Sequence, residues 1–266
     1  MLNPYIIKLG GSVITAKEEN KFEIREAELE RIALEIKKAM KKKKFSLILV
    51  HGAGPFGHTN VFEYGINNGV FTEKQKEGLE KTIRDCNFLD SRVVKKMQEA
   101  GINAVAFDPN KIVLQEEKKI IEFETEKIES ALKEGKVPVL FGQMVPDKKL
   151  NASVLSGDAI IAFFAKKFFP KKIFFGTDVS GVFSEDPKKN PKAKRIPEIN
   201  KKNFDSIIKK VGEATTVDVT QGMKGKLMKL REQLKGTTTL IFNANEKQSV
   251  FRALTGKKIK GTKMRF

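Results

Sequence analysis

Short apolar runs along this chain alternate with longer stretches whose apolar residues recur every three or four positions. The short runs, Tyr5–Leu9, Ser46–Val50, Ala104–Phe107, Val137–Phe141, Lys172–Phe175 and Thr238–Phe242, predict strands. Leu29, Ile32, Ala33 and Ile36 mark one face of a helix over Glu26–Lys44. Leu79, Ile83, Leu89, Val93, Val94 and Met97 do the same over Glu73–Glu99, and Gly101 stops that helix. Glu124–Glu134 and Asp158–Phe169 read as further helices, and Lys111–Phe123 as a short hairpin turning at Glu116–Lys119. Strands alternating with helices imply an α/β fold with a mainly parallel sheet covered on both faces. Ligands of such sheets sit at the carboxyl ends of the strands.

Two glycine-rich turns fall at those ends. Lys8-Leu9-Gly10-Gly11-Ser12 leaves the first strand, and His51-Gly52-Ala53-Gly54-Pro55-Phe56-Gly57-His58 leaves the second. Glycines bring backbone N–H groups close to a bulky anion. Lys8 and Lys17 would add cations, and Ser12 a hydroxyl or a helix cap. His51 stands equally well as a hydrogen-bonded strand-end residue or as a ligand. His58 opens a helical segment, where an imidazole beside N-terminal amides suits an anion. Neither histidine has a partner at metal-ligand spacing, so no protein metal site is expected. Two phosphate cradles suggest two phosphorylated ligands and transfer of a phosphoryl group between them.

Three later tracts carry similar chemistry. Ser156-Gly157-Asp158 precedes an apolar helix, where Asp158 either caps or holds lysines toward a phosphoryl group. Thr177-Asp178-Val179-Ser180-Gly181-Val182 follows a strand and reads as a nucleotide pocket or a plain turn. Asp218-Val219-Thr220-Gln221-Gly222-Met223-Lys224-Gly225-Lys226 runs into a helix that could present Lys226 to phosphates.

Composition narrows the classes. The chain has 266 residues, enough for one large α/β domain or two lobes on a shared sheet. No apolar run is long enough to span a bilayer, the N-terminus lacks a signal-peptide pattern, and the single cysteine, Cys86, reads as buried filler. A cytoplasmic location is expected. Lysine and arginine number 51 against 33 acids, but the lysines are dispersed without interleaved aromatics. A solvated surface that draws in polyphosphates is therefore expected rather than a nucleic-acid site. Phe62, Tyr64 and Phe88 either shape the apolar end of a pocket or belong to the core, which is the default.

Lys8-Leu9-Gly10-Gly11-Ser12, Ser156-Gly157-Asp158, Thr177-Asp178-Val179-Ser180-Gly181-Val182 and Asp218-Val219-Thr220…Lys226, in this order, resemble the amino acid kinase superfamily. Within it, the His51–His58 loop, Val13-Ile14-Thr15 and Phe141-Gly142 are similar to the isopentenyl phosphate kinase branch, with fosfomycin kinase related. The resemblance implies an open αβα sandwich and ATP- and Mg²⁺-dependent phosphorylation of isopentenyl phosphate, on an alternative mevalonate route in archaea. It implies a homodimer. It implies that residues 1–165 bind the acceptor and 166–266 bind ATP, on one continuous sheet. By the same motif matching, Lys8, Lys17 and Lys226 neutralise the moving group, and Asp158 orients Lys8 and Lys226. Gly10, Gly11, Ser12, Gly52, Ala53, Gly54, Gly57, His58 and Gly157 hold the acceptor. Lys8, Thr177, Asp178, Gly181, Gly222 and Lys226 face the nucleotide. Ala16, Gln143, Gln221 and Ala244 depart from the usual pattern. An acceptor of another kind, such as a different small phosphate or phosphonate, stands as the alternative enzyme, and a ligand- or nucleic-acid-binding derivative as the alternative class.

Overall fold

The computed structural model describes residues 2–16, 22–185, 187, 189–213, 227–228, 230–232, 234 and 236–266. Lys17, Gln221, Gly222 and Lys226 lie outside the described residues. The elements run β1 (Tyr5–Leu9), α1 (Gly11–Ile14), α2 (Glu26–Lys42), β2 (Leu47–His51), α3 (Pro55–Glu63), α4 (Glu73–Glu99), β3 (Ala104–Ala106), α5 (Pro109–Ile112), β4 (Val113–Glu116), β5 (Lys119–Phe123), α6 (Glu126–Lys133), β6 (Val137–Phe141), β7 (Gln143–Asp147), β8 (Asn151–Leu155), α7 (Gly157–Phe168), β9 (Lys172–Thr177), β10 (Val182–Phe183), β11 (Arg195–Ile196), β12 (Glu198–Asn200), α8 (Phe204–Glu213), β13 (Thr239–Asn243), the helix Ser249–Thr255 and β14 (Gly261–Arg265).

Eight strands form the main sheet in the order β12-β14-β13-β9-β1-β2-β6-β3. Every pairing is parallel except β13 with β14. β1 lies at the centre, with Lys8 opposite Val50 on one side and Phe175 on the other. Side chains of a strand alternate between faces. Tyr5, Ile7 and Leu9 therefore join the core under α2, α4 and the helix Ser249–Thr255. Ile6 joins the opposite core with Ile160, Ile161 and Phe164 of α7. Burial of each such side chain contributes about 1.5–3 kcal/mol. Lys8 shares the parity of Ile6, so its side chain runs along the face that α7 covers.

Helix ends carry their own chemistry. Thr72 and Gln75 form a capping box at the start of α4, whose other end closes at Gly101 with φ 77°. Buried Glu35 on α2 accepts the N–H groups of Gln248, Val250 and Phe251 at 2.7, 3.0 and 3.2 Å. It supplies the acceptor that the helix Ser249–Thr255 lacks from its own first turn.

The proposed hairpin is present as β4 and β5, with Glu117 and Lys118 at positive φ in its turn. It belongs to a second sheet, β5-β4-β7-β8, whose strands β7 and β8 the apolar pattern did not predict. Helix α2 closes at Lys42 rather than Lys44, and the Lys43 ammonium donates to the Tyr5 hydroxyl at 2.8 Å. No helix among the described residues is long and apolar enough to cross a membrane.

Candidate active site

The carboxyl ends of β1, β2 and β6 open into a cavity of about 760 Å³. Its phosphate-like end is built where the two glycine turns pack back to back. A Cβ on Gly11 would lie 2.6 Å from the Gly54 backbone, and one on Gly52 would lie 2.7 Å from the Gly11 nitrogen. Only glycine permits this approach. Gly54 adopts φ 53°, with Thr15 filling the space a side chain would need. Gly10 donates to the Gly176 carbonyl at 2.9 Å, and Gly52 to that of Leu9 at 2.9 Å, which fastens both turns to the sheet.

The turns leave donors free. Gly11 and Ser12 occupy the first turn of α1, whose amides have no intrahelical acceptor. Ala53 and Gly54 take no protein acceptor among the described residues. All four residues line the cavity. Such a cluster of N–H groups is an anion cradle.

Lys8 enters from below. Its ammonium meets Asp158 Oδ1 at 2.6 Å, and its side chain is 15 % exposed. The cap of α7 is Ser156, whose hydroxyl accepts the Ala159 amide at 3.1 Å, so Asp158 is a first-turn acid and not the cap. A Cβ on Gly157 would crowd Lys8 Cε at 3.3 Å, so the small residue makes room for the lysine stem.

The two histidines separate. His51 is the last residue of β2 rather than a loop residue, and it is fully buried. Its Nε2 meets Asp90 Oδ1 at 3.0 Å and its Nδ1 meets the Gly52 carbonyl at 3.2 Å. His58 stands exposed in the first turn of α3 and lines the cavity. Desolvation against the cleft walls, then the Lys8 charge, lower its pKa. Its ring is accordingly a neutral donor near pH 7.

Beside these polar groups the cavity has apolar lining residues, Val61, Cys86, Met144 and Val154. Phe62 and Phe88 are neither wall nor core, being 88 % and 54 % exposed, and Tyr64 packs with Ile66 and Val70. Val61, Met144 and Val154, which the motifs do not include, line the cavity instead. Val61 was legible, because it lies three residues after His58 on one helix face. Met144 and Val154 come from β7 and β8, the unpredicted strands. Cys86 is buried filler, and burial, then the Asp85 and Asp108 charges, push its thiol up to about 12. Gln143 is internally satisfied. Its Oε1 accepts the Met144 amide at 2.9 Å and its Nε2 donates to Asn87 Oδ1 at 3.0 Å.

Of the predicted site residues, the cavity gathers Lys8, Gly11, Ser12, Gly52, Ala53, Gly54, Gly57, His58, Gly157 and Asp158. Gly10, Thr177, Asp178 and Gly181 do not line it. Thr177 is the last residue of β9, next to β1, with Asp178 and Gly181 just beyond it; its Oγ1 donates to the Val179 carbonyl at 2.8 Å and its own carbonyl accepts the Ala244 amide at 2.8 Å. Gly181 has φ 123° and abuts Thr262, so the tract has a built conformation. Arg25 links the two regions, donating to the Val13 carbonyl at 3.2 Å and to Asn245 Oδ1 at 3.1 Å.

Comparison with known proteins bears on the fold and the family. The isopentenyl phosphate kinase of Methanothermobacter thermautotrophicus is 37 % identical over 97 % of this chain and 98 % of its own length. That of Methanocaldococcus jannaschii is 33 % identical over 98 % of each. A crystal structure of isopentenyl phosphate kinase superposes with a TM-score of 0.81 at 34 % identity, covering 97 % of this chain and 99 % of its own. UMP kinase from Ureaplasma parvum shares the fold at 18 % identity and a TM-score of 0.63. The model described as the amino acid kinase family matches residues 3–243, and the chain belongs to that family.

Proposed function

We propose that this protein is a small-molecule kinase that transfers the terminal phosphoryl group of ATP to the phosphate of isopentenyl phosphate, giving isopentenyl diphosphate. The observation that carries this reading is the mixed lining of one cavity. Free amides, Lys8 and His58 share it with the apolar Val61, Cys86, Met144 and Val154. A phosphate with a short branched hydrocarbon tail matches both kinds of wall. The isopentenyl phosphate kinases named above support the same substrate.

The acceptor is itself a phosphate, so its oxygen is nucleophilic without a protein base. Catalysis then reduces to alignment and charge stabilisation. In this reading, Gly11, Ser12, Gly52, Ala53, Gly54, Gly57 and Gly157 form the cradle for the acceptor, Gly10 ties the first turn to Gly176, and His58 donates to the acceptor. Lys8 faces the transferred group. Its 2.6 Å contact with Asp158 fixes the ammonium beforehand, so no reorganisation is needed as charge shifts. Lys17 and Lys226 add charge from outside the described residues. Thr177, Asp178, Gly181 and Gly222 serve the nucleotide. Residues 1–165 thus hold the acceptor and 166–266 the nucleotide. The reading includes a cytoplasmic homodimer.

Mg²⁺ fits this site as an ion carried by the nucleotide. Among the described residues, no cluster of three or more acidic, histidine or cysteine side chains could cage a metal. The cleft carboxylate Asp158 already faces Lys8. Phosphate oxygens then supply most of the coordination, and the bound ion neutralises their charge.

Purified protein with ATP, Mg²⁺ and isopentenyl phosphate is expected to release ADP at least a hundredfold faster than the Lys8→Ala variant. A panel of small phosphates and phosphonates, ranked by kcat/KM, should place isopentenyl phosphate first. Turnover no greater than that of the variant defeats the kinase, and another acceptor ranking first replaces the substrate.

A further inference from the structure

The mechanism above uses His58 and leaves the buried His51–Asp90 pair without a role. Ring stacking on Phe141, with centroids 5.3 Å apart and planes 10° apart, holds the His51 imidazole in place. Both ring nitrogens face acceptors, Asp90 Oδ1 at 3.0 Å and the Gly52 carbonyl at 3.2 Å. Burial pushes the Asp90 carboxyl up, against the pull of His51. A carbonyl oxygen only accepts, so the contact with Gly52 is a hydrogen bond that Nδ1 donates.

That bond has a geometric consequence. The peptide joining Gly52 to Ala53 is planar and trans, so its C=O and N–H point in opposite directions. Pinning the Gly52 carbonyl toward the buried imidazole turns the Ala53 N–H away from it. Ala53 lines the cavity, and its N–H has no protein acceptor among the described residues. Gly52 has no side chain to restrain this peptide, so the restraint must come from elsewhere.

We propose that His51, seated by Asp90, is a positioning residue that aims the Ala53 amide at the acceptor phosphate. The inference rests on the functional reading above. It touches the acceptor only through the loop, so it predicts an effect on one ligand and not the other. Asparagine and glutamine separate the two arms of the imidazole. An asparagine amide reaches the place of Nδ1 and can hold Gly52, whereas a glutamine amide reaches the place of Nε2 and can hold only Asp90.

The test measures KM for acceptor and for ATP in His51→Leu, His51→Asn and His51→Gln, with inorganic phosphate binding by calorimetry in parallel. His51→Leu and His51→Gln should raise the acceptor KM about tenfold or more and weaken phosphate binding alike, with the ATP KM within twofold. His51→Asn should stay within threefold of the native acceptor KM. Equal loss for both ligands, or asparagine no better than glutamine, overturns the proposal and leaves a core histidine. If His51→Leu does not fold, the asparagine–glutamine difference decides alone. If the native protein does not phosphorylate isopentenyl phosphate, the functional reading falls, and the phosphate titrations still decide this inference.

Discussion

Two clusters of backbone amides in this molecule differ in what answers them. At the base of the small sheet, buried Asp147 accepts the amides of Glu117, Lys118, Lys149 and Leu150 at 2.9–3.1 Å, and the Ser153 hydroxyl at 2.7 Å. In the cleft, Ala53 and Gly54 line the cavity, and their amides have no protein acceptor among the described residues. The same physics, oriented N–H groups attracting negative charge, operates at both. Where the chain provides its own carboxylate, the result is a fastened turn. Where it provides glycines and a lysine instead, the result is a binding site for an external anion.

The largest effect expected from breaking this comparison falls on the filled cluster. Burial opposes ionisation of Asp147, yet the bonds from Lys118, Ser153, Lys149 and Leu150 prevail and hold its pKa at about 2. That lies below the ordinary aspartate value near 4. The folded value is depressed, so the stabilisation is complete above about pH 4 and is lost as pH falls through about 2. Asp147→Asn places an amide among donors and should cost about 2–3 kcal/mol. Urea melts should show this loss at pH 7 and its disappearance near pH 2. Turnover by the folded variant at 25 °C should match the native protein. An equally stable variant would mean that the hairpin does not depend on this carboxylate.

The contrast also bears on what sequence patterning reveals. Strands β1, β2, β6, β9 and β13 are buried on both faces, so they appear as unbroken apolar runs. β7 and β8 are different. β7 carries Gln143, Pro146 and Asp147, and β8 carries Asn151 and Ser153, and Gln143, Asn151 and Ser153 each bond to a partner distant in sequence. No local signal announces Gln143 bonding to Asn87, 56 residues away. The cradle was legible because close backbone approach leaves glycines behind. The apolar wall was not, because Met144 and Val154 belong to those same polar strands. His51 and Asp90, 39 residues apart, illustrate the same limit. The histidine is visible, but its pairing depends on where α4 lies.

A smaller effect tests the open cluster. Gly54 holds φ 53° with Thr15 against the space a side chain would need. Gly65 holds φ 61° with nothing within 4 Å. Alanine at either site incurs positive-φ backbone strain of roughly 1–3 kcal/mol, with Gly54 the more demanding because its ψ of −142° lies outside the left-handed helical well that Gly65 occupies at ψ 33°. Only Gly54→Ala should also displace cradle amides, raising the acceptor KM about tenfold with the ATP KM unchanged. Gly65→Ala should lower stability alone. Matching kinetics in the two variants would show that strain, and not cradle shape, is what alanine perturbs.

The smallest effect concerns the proton that the open cluster takes up. The His58 pKa lies below its ordinary value near 6.5, through desolvation and then the Lys8 charge. Without ligand, the unfolded chain binds this proton more readily. The stability His58 contributes is therefore full above about pH 6.5 and declines as pH falls toward the lowered value. An acceptor phosphate brings negative charge to the same place and offsets the Lys8 repulsion. Binding must then raise the His58 pKa, and the complex takes up a fraction of a proton between the free and bound values. Calorimetry near pH 6 in buffers of different ionisation enthalpy should detect this uptake. The acceptor's own phosphate titrates in the same range, with a second pKa near 6, so the His58→Asn variant supplies the baseline. The difference between the two proteins isolates the imidazole. Equal uptake in both would place His58 outside the field of the bound anion, and the amides with Lys8 would be the whole of the cradle.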